Sequence, residues 1–117
     1  LALPSAERRR LVTSCIHRLR PTDAAHRVGI RRMLERSETA GYGLNCDDIT
    51  PGVSAIGVPI LDRAGAPVAA ITVASTSQHL DEQRRRKVLE LVVREAAAMR
   101  GRVPALAGNA LPATAEL

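Results

Sequence analysis

Two apolar runs, Val53 to Leu61 and Pro67 to Ala74, set the narrowest limits on what this chain can become. Each has the length of a strand, is rich in Val and Ile, and is bounded by Gly, Pro or Asp, a pattern that favours strands over a buried helix. Between them lies Asp62-Arg63-Ala64-Gly65. An Asp side chain accepts from backbone N–H groups ahead of it, and a Gly takes the positive φ that a type I turn with a bulge requires. The connector therefore predicts a β-hairpin. The 22 residues from 53 to 74 approach the length of a membrane helix, but two charges and a Gly in their middle argue against one.

Side chains alternate across a strand. In the second run Val68, Ala70, Thr72 and Ala74 then share one face, and Ala69, Ile71, Val73 and Ser75 share the other. The Ile71/Val73 face is bulky and suits packing under helices. The opposite face is small and carries one hydroxyl. Spacing alone leaves two readings open: a closely packed helix, or a pocket.

At 117 residues the chain is at most one domain. It has no Phe, no Trp and a single Tyr, so Ala, Val, Leu and Ile must build the core. Such a core buries less area per residue, and the fold is expected to lean on an oligomer or on further chain. The missing initiator Met and the opening Leu1-Ala2-Leu3-Pro4 suggest a piece entered partway through an element. No signal peptide and no apolar span of membrane length is visible, so nothing points outside the cytoplasm. The net charge of +5 comes from sixteen arginines and one lysine against twelve acids. Without aromatic platforms or a helix-turn-helix pattern, that balance reads as a basic solvated surface rather than a nucleic-acid site.

Around the hairpin the sequence predicts three helices. The first covers residues 5 to 19, with Ser5 as N-cap, Glu7 in its first turn and Leu11, Cys15 and Leu19 at helical spacing. Cys15 is expected to be a buried, inert thiol on that stripe, and His17 a surface residue. Pro21 breaks the helix. Thr22 or Asp23 caps a second one that reaches Ala40 and stops at Gly41. Val28, Ile30, Met33 and Leu34 form its apolar side, weakened by Gly29. Tyr42 is the expected core anchor, and residues 42 to 46 a short strand. Asp47 and Asp48 read as solvated loop acids, since neighbours on extended backbone point apart and offer neither an acid–base pair nor a metal site.

Asp81 caps a third helix running to about Arg100. Its inner stripe is Val88, Val92, Ala96 and Met99, widened by Leu89, Val93 and Ala97. Asp81/Arg85, Glu82/Arg86 and Glu90/Arg94 are spaced for i,i+4 pairs. The domain is expected to span residues 1–100, and the Ala-, Pro- and Gly-rich residues 101–117 to be a disordered tail. Cys15 and Cys46 lack any CxxC or metal spacing, and no His is placed by sequence to activate either thiol. No catalytic residue, metal or cofactor is expected.

The order of these features resembles the effector-binding domain of the IclR family of transcriptional regulators. The likeness is carried by Leu3-Pro4, Thr22-Asp23, Gly41-Tyr42, Asn45 through Asp48, Gly52-Val53, Ala55, Pro59-Ile60, Asp62, Gly65 and residues 69 to 74. It implies an α+β, GAF-like fold: a curved antiparallel sheet flanked by helices and cupping a small organic acid or related metabolite, here without the first strands of the sheet. It also implies a homodimer or tetramer that meets DNA only through an upstream winged helix-turn-helix domain, with no membrane partner. Carried over residue by residue, the ligand-binding positions are Asn45 (often Asp in the family), Ala55 (Cys in some members), Thr72 (commonly Ser) and Ala74 (a second frequent Ser). Thr72 and Ala74 lie on the small face already singled out by alternation. The alternative is a GAF-like signalling or dimerisation module without a ligand.

Overall fold

A computed structural model describes residues 1–19 and 23–102. The elements follow in the order α1 (Ser5–Arg18), α2 (Ala24–Ala40), β1 (Gly43–Cys46), β2 (Val53–Leu61), β3 (Pro67–Thr76) and α3 (Glu82–Ala98). The three strands form one antiparallel sheet in the order β1-β2-β3. The expected tail falls almost wholly on residues 103–117, outside the described residues, as does Thr22.

The hairpin forms as its residues dictate. Asp62 and Ala66 pair across the turn, with the Asp62 N–H 2.8 Å from the Ala66 carbonyl. The Asp62 carboxylate accepts from the Ala66 N–H at 2.8 Å, and Gly65 takes φ 88°. Strand alternation then sorts β2 cleanly. Ser54, Ile56, Val58 and Ile60 are buried, while the residues between them face the other side. Ile56, Val58 and Ile60 pack with Val92 and Ala96 of α3 in one aliphatic core, against which Tyr42, Ile71 and Val73 lean. Each fully buried aliphatic side chain contributes roughly 1.5–3 kcal/mol relative to exposure.

The alternation fails at one place. The register shifts between Ile60 and Leu61, so that Ile60 faces Ala69 while Leu61 faces Pro67. The extra residue, Val68, packs against the α3-side core instead of joining the small face. A β-bulge has this effect, since it adds one residue to one strand and re-aims the side chains beside it.

α3 begins where expected, with the Asp81 carboxylate accepting from the Arg84 N–H at 2.8 Å. Its inner stripe is narrower than predicted: Val92 and Ala96 are buried, but Val93 and Met99 are exposed. Of the three spaced ion pairs only Glu82–Arg86 forms. Arg85 turns instead to the Cys46 sulfur, and Arg94 to Glu95.

α2 ends at Gly41 in the left-handed conformation (φ 81°), whose N–H reaches the Ser37 carbonyl at 2.9 Å. Gly29 is not the weak point of this helix but its contact point. It is buried, and a Cβ there would lie 2.9 Å from the Asp48 carbonyl carbon and closer still to its oxygen. α1 departs most from expectation. Its cap residue is Pro4, not Ser5, and none of its residues is buried. Cys15 is accordingly exposed, because the Leu11–Cys15 stripe meets no partner among the described residues.

Candidate functional site: a small-residue cavity on the open face of the sheet

The face of the sheet turned away from α3 is paved with small side chains, and the register explains why they coincide. Asn45 lies opposite Ala55, and Ala55 opposite Ala74. One step along, Gly43 lies opposite Gly57, and Gly57 opposite Thr72. Residues directly opposite one another in a ladder project to the same side. Asn45, Ala55, Thr72 and Ala74 therefore share a face. Above it opens a cavity of about 690 Å³, lined mainly by apolar groups, including Met33 and Leu34 of α2, Tyr42 and Pro59. Asn45, Ala55 and Thr72 belong to its lining, whereas Ala74 lies on the same face outside it.

The floor is low because two glycines pair there. A Cβ on Gly57 would sit 3.3 Å from the Thr72 hydroxyl, and one on Gly43 3.1 Å from the Gly57 carbonyl oxygen. Sequence reasoning passed over both. Their signal was the pair of glycines within predicted strands, where a missing side chain marks close approach.

Few polar groups enter this space, and most are already engaged. The Asn45 side-chain oxygen accepts from the Asp48 N–H at 3.1 Å, and its amide donates to the Val53 carbonyl at 3.4 Å. Asn45 is thus first a clamp on the β1–β2 connection, with one amide hydrogen left over. The Ser37 hydroxyl donates to the Met33 carbonyl at 2.7 Å and accepts from the Leu44 N–H at 2.9 Å. The Thr72 hydroxyl has no hydrogen-bond partner among the described residues. Arg8 of α1 brings a cation to the lining and is held by Glu38 at 2.9 Å.

Beside the cavity, the β1–β2 connection corrects the reading of its two acids. Asp48 is buried rather than solvated, its side chain only 1% exposed. It accepts from the Arg36 guanidinium at 3.2 Å and from the Cys46 N–H at 3.0 Å. That hydrogen bond and the carboxylate's charge hold the Arg36 pKa above its ordinary value. Asp47 is exposed and takes φ 58°, and its carboxylate accepts from the Gly52 N–H at 2.7 Å and the Ser77 hydroxyl at 2.6 Å. The two carboxylates thus serve different partners, and both brace the loop. Among the described residues no three His, Cys, Asp or Glu side chains gather as metal ligands do. No helix of the described residues is long and apolar enough to cross a membrane.

Comparison with solved structures places this geometry. The inducer-binding domain of the transcription factor PobR from Acinetobacter, a double mutant in complex with 3-hydroxybenzoic acid, is 28% identical with a TM-score of 0.53, over 63% of this chain and 43% of that one. The Agobacterium tumefaciens repressor BlcR (22% identity, TM-score 0.62, 84% and 40% coverage) shares the fold. So does an IclR family transcriptional regulator from Brucella abortus (22% identity, TM-score 0.59, 83% and 38% coverage). The chain thus spans 38–43% of the length of these three. No curated protein is detectably similar in sequence. The family model for the bacterial transcriptional regulator IclR C-terminal domain matches residues 2–100. The chain belongs to the IclR C-terminal family.

Proposed function

We propose that this domain senses a small carboxylic acid or related metabolite for a transcriptional regulator, and that it catalyses no reaction. The observation that carries the reading is the cavity of about 690 Å³ above Ala55, Gly57 and Thr72. An apolar lining with few polar groups suits a small organic ligand, and the similar PobR domain is complexed with 3-hydroxybenzoic acid. Thr72 offers a free hydroxyl, Asn45 one amide hydrogen, and Ala55 and Ala74 leave room. Ligand binding shifts the regulator between states by no more than its differential affinity for them. The regulator works in the cytoplasm as a dimer or tetramer and touches DNA through a winged helix-turn-helix domain preceding this one.

The test is calorimetry of the full-length regulator with 3-hydroxybenzoate and a panel of small carboxylic acids. Saturable heat is expected from at least one of them. It should be lost in Gly57→Val, whose side chain rises from the cavity floor beside Thr72. Silence across the panel overturns the reading and leaves a GAF-like dimerisation module without a ligand.

A further inference from the structure

Among the described residues, Arg8 is the single charged side chain in the cavity lining. Two helices put it there. The Arg8 N–H closes the first turn of α1 on the Pro4 carbonyl at 2.9 Å, and Leu1 and Leu3, just ahead of that turn, line the same space. From α2, Glu38 accepts from the Arg8 guanidinium at 2.9 Å; it follows Ser37, itself part of the lining. The Arg8 side chain is 26% exposed and that of Glu38 52%, so the cation is the more enclosed of the two.

A guanidinium presents five N–H donors in a rigid fork. Glu38 engages one nitrogen, Nη2, and no other acceptor meets the Arg8 side chain among the described residues. One edge of the fork is therefore left for a second carboxylate, and a planar edge with two parallel N–H groups is what bidentate pairing requires. The Glu38 contact also holds a long side chain in place, so a ligand need not order it on binding. As a mere tie between α1 and α2 the pair would be weak, since ion pairs this exposed contribute little to stability. The rest of the lining offers no further cation: Met33, Leu34 and Pro59 are apolar, and Thr72 adds a hydroxyl. One carboxylate can be matched here. A second, set among apolar groups without a partner, is costly.

We propose that Arg8, held in place by Glu38, is the residue that recognises the effector's carboxylate, and that the effector class is a monocarboxylic acid with an uncharged body. The assignment rests on the effector-sensing reading and narrows it. The ligand carboxylate takes the free edge of the Arg8 fork, and the body lies on the low floor at Ala55 and Gly57. An amide of the same shape forfeits the charge-assisted bonds, which are roughly twice as strong as neutral ones. A dicarboxylate leaves one charge unmatched.

The test is calorimetry of the full-length regulator. Each acid of the panel that binds is titrated again beside its amide and a dicarboxylate of the same body, 3-hydroxybenzoate for instance beside 3-hydroxybenzamide and isophthalate. The acid should bind more tightly than either. Arg8→Met, similar in length but uncharged, should weaken the acid roughly 10- to 100-fold, the loss of a hydrogen bond to a charged group, and leave the amide unchanged. Arg8→Lys restores the charge without the fork and should recover part of the acid's affinity. The assignment is overturned by a parent that prefers the amide or the dicarboxylate, or by an Arg8→Met that binds the acid as tightly as the parent. It is overturned equally by an Arg8→Met that weakens acid and amide alike, which marks a structural role, or by an Arg8→Lys no better than Arg8→Met. In each of these cases an acid still binds, so the effector reading stands and Arg8 alone loses its role. If no acid binds, the effector reading falls and takes the assignment with it.

Discussion

Replacing Gly29 by Ala sets two physical effects against each other, and they predict opposite signs. In an exposed helix interior, Gly→Ala stabilises by about 1 kcal/mol. Here α2 lies against the backbone of the β1–β2 connection. The new methyl would stand 2.9 Å from the Asp48 carbonyl carbon, where carbon atoms normally rest about 3.5–4.0 Å apart. The helix must retreat by on the order of 1 Å, and overpacking of this kind costs about 1–3 kcal/mol. Retreat also stretches the Arg36–Asp48 bond at 3.2 Å and the Ser37–Leu44 bond at 2.9 Å, each worth about 1 kcal/mol net. The expected sum is a loss of about 2 kcal/mol. With a urea m-value near 1 kcal/mol/M for a domain of this size, the midpoint followed by far-UV circular dichroism should fall by about 2 M. Val28→Ala, one residue away but 54% exposed, should leave it nearly unmoved. A midpoint that rises by about 1 M in Gly29→Ala, as helix propensity alone demands, would refute the close approach of α2 to Asp48.

Three further outcomes follow from the same contacts. Asp48→Ala strands the Cys46 N–H but leaves an Arg36 that is 41% exposed and can be solvated, and should cost about 2 kcal/mol in urea melts; Arg36→Ala leaves the Asp48 carboxylate, 1% exposed, without its cation and should cost at least as much. Asp81→Ala removes the α3 cap and should lower stability by about 1 kcal/mol, with Asp81→Ser restoring most of it; equal losses in both would mean the cap is not the cause. Ellman's reagent should label one thiol of the native chain quickly and the second slowly, and Cys15→Ser should abolish the quick phase, because Cys15 is exposed and Cys46 half-buried beside Arg85. A quick phase that survives the substitution would place Cys15 inside.

The hairpin, the Asp81 cap, the Gly41 stop and the face shared by Thr72 and Ala74 were all legible in the chain itself. Each depends on residues a few positions apart, and turn chemistry, capping and strand alternation act over that range. What escaped was whatever needed a distant neighbour. Gly29 looked like a flaw until Asp48 was brought against it. Asp48 looked solvated until Arg36 enclosed it. Cys15 looked buried, but no helix or sheet among the described residues covers its stripe. Val68 left its expected face because a bulge, set by pairing with Ile60 and Leu61, re-aimed it. Burial and hydrogen-bond satisfaction belong to pairs of segments rather than to either alone. Local sequence therefore determined which elements form and where they stop, while the folded arrangement alone decided which of the described faces are covered and which lines the cavity.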